Sequence, residues 1–251
     1  MALSPLRSKT LHHTRSQSLP SNLQHPTISQ FNDNLSKISI FSSSFSSLKS
    51  LFCNIDDLLM LPHIQHTISQ ESNEKWVVDG VVDAYIRLLD ACTTAKDAVS
   101  QTKHDVQQLL SALRRKDIQS YQQTSSKNSK KMIQKALKEL RSLKSTKQYN
   151  LSKDQETVAV VYMIKEAESV TINMFENLLS RVIGQEKQSG WSFLSKMIMP
   201  SKKISYESEE TDRSSQLKEM ESSMKILEQE LDDLFKKLIK TRVFLLNILN
   251  H

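Results

Sequence analysis

Residues 217–248 read LKEMESSMKILEQELDDLFKKLIKTRVFLLNI, and their spacing decides the fold. Leu217, Met224, Leu231, Leu238 and Leu245 recur every seven residues, and Met220, Leu227, Leu234, Thr241 and Ile248 follow three residues after each. Nine of these ten positions are apolar, the pattern that packs one long helix against another along a left-handed seam. At about 1.5 Å per residue the stripe is about 47 Å long, so only a helix of similar length can cover it. The chain supplies one. Trp76, Val77, Val81, Ala84, Leu88, Ala91, Ala95, Val99, Val106, Leu109 and Leu113 keep helical spacing, with Gly80 as a local weak point. This favours an intramolecular bundle and leaves open a homodimer in which the seam pairs with its own copy.

Working outward, the rest of the chain is also helical in pattern. Apolar spacing runs from Ile28 through Phe31, Leu35 and Ile38, and from Phe45 to Leu59, with Ser42, Ser43 and Ser44 as a weak break. Pro62 is expected to stop the second helix, with a short turn around Ile64 to Ile68 and Ser72 capping the helix that begins near Lys75. A loop is expected near Ser120 to Ser126, then helices to about Ser145 and from Ser152 to Ile183. Gly184, Gly190 and Pro200 mark a connection over 184–207, and the heptad helix occupies 208–250. Gly and Pro together number 8 of 251, well below the roughly 12% of average usage. Such scarcity excludes a sheet with tight hairpins, and equally the Gly-rich phosphate loop and dinucleotide fingerprint. The expected fold is therefore all-α, an elongated bundle of long antiparallel helices over 28–251 behind a disordered, Ser-rich basic tail over 1–27.

Charge is unevenly placed. Residues 101–153 hold 13 basic and 3 acidic side chains, a net +10 that exceeds the whole-chain +6, whereas 201–251 hold 9 and 10. On a helical wheel Ile133, Ala136, Leu137, Leu140 and Leu143 form one stripe, and Lys127, Lys131, Lys135 and Lys138 fall opposite. Such a cationic amphipathic helix can pack its apolar side inward and turn its lysines to water, to an acidic protein or to an anionic membrane surface. Nucleic acid is disfavoured as a partner, because no aromatic platform accompanies the lysines.

Catalytic chemistry finds little footing. There is no His-Glu-x-x-His, no Cys-x-x-Cys and no Ser flanked by glycines, so no enzyme, metal or cofactor is expected. His63 and His66 share a helix face without a cluster of further ligands. Asp56 and Asp57, like Asp232 and Asp233, read as solvated charge; Cys53 and Cys92 read as buried small apolar groups in a reducing compartment. Trp191 to Met199 reads as an apolar segment packed against the end of the bundle, with a membrane- or partner-contacting patch as the alternative.

The sharpest short signal is Arg15, Ser16, Gln17, Ser18, Leu19 and Pro20. Arg15 suits a basophilic kinase acting on Ser18, and the resulting phosphate suits the Arg-lined groove of 14-3-3 proteins, with Pro20 turning the chain away. Residues 1–32 hold no Asp or Glu, which leaves a chloroplast or mitochondrial transit peptide as the alternative to a cytoplasmic tail.

Several strings together carry a resemblance: RSQSLP at 15–20, LLMLPHIQHTISQE at 58–71, KWV at 75–77, LLDACTTAKD at 88–97, LLSALRR at 109–115 and RVFLLNILNH at 242–251. The chain resembles the land-plant family related to BYPASS proteins over nearly its whole length. That resemblance implies a plant protein of long helices and, for the BYPASS relatives, a role in root and shoot development through restraint of a mobile root-to-shoot signal. It implies no catalytic residue. The functional expectation is a non-enzymatic helical scaffold or regulator, cytoplasmic and peripheral at membranes, with a phospho-regulated tail. The alternative is a peripheral anionic-lipid-binding protein that uses the lysine-rich helix.

Overall fold

The computed structural model describes residues 26–40, 45–115, 118–144, 155–183 and 210–250, and all secondary structure among them is helical. In chain order the helices are α1 (Pro26–Ile40), α2 (Phe45–Leu59), α3 (Pro62–Gln70), α4 (Lys75–Val77), α5 (Asp83–Arg114), α6 (Ile118–Leu143), α7 (Gln155–Ile183) and α8 (Glu210–Leu249). A π-helical turn, Val78–Val82, joins α4 to α5. The all-α bundle expected from the heptads is the fold.

The seam of α8 lies against α5. Leu217, Met224, Leu231, Leu234, Leu238, Thr241, Leu245 and Ile248 are buried, and Met220 and Leu227 pack half-buried against the same core. The two helices run antiparallel: Gln107 bonds Glu221, Lys103 pairs with Glu228 and Lys96 with Asp232, each step back along α5 matching a step forward along α8. The seam is thus taken up within one chain. Fully burying each of its leucines contributes roughly 1.5–3 kcal/mol.

The long helix before Arg114 is continuous through Gly80. With no side chain, Gly80 is the position where the helix is cheapest to underwind into a wider turn, and the Asp83 N–H reaches back five residues to the Val78 carbonyl. Gly80 is buried, where the turn packs against α7 and α8.

Several local expectations change. Pro62 does not end α2 directly, since α2 stops at Leu59; Pro62 instead opens α3, where its fixed φ and missing N–H suit the first helical position and Leu61 is extended (φ −68°, ψ 128°) before it. Ile64 and Ile68, one turn apart and both buried, make α3 a helix rather than a short turn. Ser72 caps nothing; Glu74 is the N-cap of α4, and Glu71 holds the turn by accepting the Trp76 Nε1–H at 2.6 Å. The backbone over Ser120 to Ser126 is helical, because the Ser, Gln and Lys there weaken a helix only slightly and neither Gly nor Pro interrupts α6.

Candidate functional site

Two faces carry charge that a partner could read. The first is on α6. Ile133, Ala136, Leu137 and Leu140 are buried and Leu143 is half-buried, while Lys131, Lys135 and Lys138 are exposed. Lys135 lies 3.5 Å from Glu139 one turn on, an exposed pair worth a few tenths of a kcal/mol at most (about 0.3–0.5). Lys127 lies on the α6 backbone, but its side chain is outside the described residues. At the end of α6, Lys144 pairs with Glu176 of α7 at 2.9 Å.

The second is the line of polar groups beside the α8 seam. Lys49 on α2 reaches Asp233 at 3.3 Å, and Lys237 reaches back to Asp56 on α2 at 2.7 Å. Thr241, the one polar residue of the seam, donates its hydroxyl to Asp56 at 2.6 Å. A polar group at a seam position costs stability unless bonded, and Asp56 supplies the bond. Burial disfavours the charge on Lys237, yet the hydrogen bond and charge of Asp56 outweigh it and raise its pKa. Tyr85 is wholly buried beside this node, tilted against Phe52 with ring centroids 6.5 Å apart, and its hydroxyl lies close to that of Thr241. Burial foremost, then the Asp56 charge, pushes that phenol well above its ordinary range, with the Thr241 hydroxyl opposing.

Deeper in the bundle, Arg87 makes a two-pronged contact with Glu168 of α7, a carboxylate that is almost fully buried. Lys103 holds Glu228 below the usual carboxylate range chiefly through its hydrogen bond. Asp56, Asp232 and Asp233 each pair with a lysine from another helix while staying partly open to water, and Asp57 is exposed. Cys92 is buried, donates to the Leu231 carbonyl at 3.5 Å, and has its thiol pushed up to about 12 by burial. Cys53, in contrast, is exposed, because it falls on the outer side of α2.

Sequence reasoning missed the Asp56, Lys237, Thr241 and Tyr85 node. Thr241 was its one visible signal, a hydroxyl where every other seam position is apolar. His63 and His66 are both exposed, and no group of three metal-ligating side chains occurs among the described residues. Arg15, Ser16, Ser18 and Pro20, and the segment from Trp191 to Met199, lie outside the described residues. Among those described, no helix is long and apolar enough to cross a membrane.

These features define a class: a long-helix bundle whose central antiparallel pair is closed by an apolar seam and flanked by cross-helix ion pairs. The chain belongs to the family described as Protein BPS1, whose sequence model matches residues 44–248, from the start of α2 to the end of the α8 seam. The match agrees with the BYPASS-related resemblance of the sequence. No curated protein and no solved structure matches the chain.

Proposed function

We propose that this BPS1-family protein is a non-enzymatic helical scaffold or regulator in plant cells, acting in root and shoot development and addressed through its N-terminal tail. The observation that supports this reading is the pairing of α5 with α8. An apolar seam runs from Leu217 to Ile248, and ion pairs at Asp232, Glu228 and Asp233 tie its edges to two neighbouring helices. Such a rod resists bending and holds surfaces at fixed spacing, as a scaffold must. Ser18 lies before the region that matches the family. Phosphate there would add about −1.5 to −2 units of charge, the handle a 14-3-3 protein takes.

The test is affinity purification from plant tissue with the wild-type chain, a Ser18→Ala variant and a deletion of residues 1–27. Loss of the same partners from both variants supports a tail-read scaffold. Full retention of every partner by the deletion contradicts it.

The lipid-binding alternative on α6 is weakened by packing. Its apolar stripe is spent on the core, so Lys131, Lys135 and Lys138 offer a membrane charge alone, which physiological salt screens over about 8 Å.

A further inference from the structure

The last four turns of α8 differ from the rest of that helix. Residues 210–233 carry eight acidic and three basic side chains, whereas 234–251 carry Lys236, Lys237, Lys240 and Arg242 and no acid. Lys237 is engaged by Asp56; Lys236 and Lys240 are exposed, and neither forms a salt bridge among the described residues. At about 100° per residue, Lys236, Ile239, Lys240, Val243, Leu246, Asn247 and Asn250 fall within an arc of about 120°, opposite the seam. Ile239 is 40% exposed, Val243 51% and Leu246 36%, so three large apolar side chains and two lysines share one outward stripe about 21 Å long.

The same end of the bundle gathers other exposed apolar groups. Lys49 meets Asp233 and Asp56 meets Lys237 and Thr241, so α2 runs parallel to α8 and brings Met60, 62% exposed, to the end where α8 finishes. The antiparallel register of α5 brings Val78, 42% exposed, to that end as well. Of the exposed large hydrophobic residues among those described, only Ile226 lies elsewhere.

We infer that the outward stripe of α8 from Lys236 to Asn250 is a docking surface for an anionic lipid bilayer. Apolar side chains interleaved with lysines and free of acids match the interface of such a bilayer, where the former enter the headgroup boundary and the latter meet lipid phosphates and carboxylates. An acidic protein would be met by charge but would leave Val243 and Ile239 without apolar contact unless it brought its own. A second copy of this chain docking through the same stripe would have to bring two lysines against two more. The surface stands independently of the tail, so its failure leaves the tail-read scaffold untouched.

Co-sedimentation of the full chain with phosphatidylcholine vesicles, with and without phosphatidylserine, tests the assignment. Binding is expected only where phosphatidylserine is present. Each lysine near the surface contributes about 1 kcal/mol, so Lys236→Glu with Lys240→Glu should weaken binding about tenfold or more. Val243→Asp with Leu246→Asp should do the same, with a helical melt lowered only slightly, because both positions are partly exposed and the added charges meet only the negative end of the helix dipole. Lys131→Glu with Lys135→Glu and Lys138→Glu should leave binding within about twofold, in keeping with a contact made on α8 and only distant charge on α6. The inference is overturned if the wild type ignores phosphatidylserine, or if Val243→Asp with Leu246→Asp binds as the wild type does. It is also overturned if the wild type is a dimer that this variant converts to a monomer, for then the stripe is an interface between copies.

Discussion

The lysine face of α6 and the outer stripe of α8 are both cationic, yet they are built in opposite ways. On α6 the apolar residues point inward, with Leu140 and Leu137 buried, and the exposed side carries Lys131, Lys135 and Lys138 without an exposed large apolar side chain among the described residues. On the end of α8 a second apolar set, Ile239, Val243 and Leu246, shares the outward side with Lys236 and Lys240, while a full seam is buried behind. The difference teaches that net charge locates attraction, and that adhesion to a lipid boundary needs apolar area on the same side.

Both faces rest on one shared core, and the largest effect comes from breaking it. Leu231→Asp places a charge at a fully buried seam position beside Cys92; a loss upwards of about 4 kcal/mol is expected, comparable with the whole stability of a domain. Circular dichroism should show unfolding and both faces should be lost together. Persistence of a native melt would mean that the seam is not where α8 meets α5. Next in size is Arg87→Ala, which strands the buried Glu168 carboxylate and should cost about 3–5 kcal/mol in urea unfolding. Replacing both partners, Arg87→Met with Glu168→Leu, should recover most of that loss.

Acid sharpens the contrast between inner and outer charges. Glu228 is held below its ordinary value of 4.5 by Lys103, so its contribution to stability is complete above that value and is lost as the pH falls through the lowered one. Glu228→Gln should flatten the acid limb of the stability curve, whereas a charge change at the exposed Lys131 should leave its shape alone. The smallest effect is chemical. An alkylating reagent at neutral pH should modify the exposed Cys53 and leave Cys92, whose thiol sits at about 12, intact until the bundle unfolds.

The fold was largely legible because helical periodicity is local. Ten positions from Leu217 to Ile248 defined α8, and the run from Trp76 to Leu113 named its cover before any contact was known. Pairing at long range stayed hidden. Lys49 and Asp233 lie 184 residues apart, as do many chemically equivalent alternatives, so Asp232 and Asp233 read as solvent-facing when each has a lysine on another helix. Thr241 gave notice of a polar partner, but not that it would be Asp56. The outer stripe of α8 was obscured for a different reason: a count over 201–251 comes out nearly neutral, and the acids of the first half of the helix mask the acid-free second half. Cys53 was misjudged because its neighbours Leu51, Phe52 and Ile55 are buried, and it falls on the one side of α2 that they leave to water.

The central claim is that α8 is two-sided, its seam closed within the chain and its outer stripe free to meet lipid. An environment-sensitive fluorophore reads this directly when placed at Val243→Cys or at Lys131→Cys in a Cys53→Ser background, where the buried Cys92 does not compete for label. On addition of phosphatidylserine vesicles, the emission from position 243 should shift to the blue as the probe enters the apolar boundary, and that from position 131 should not move. A blue shift at 131 with none at 243 would contradict the account.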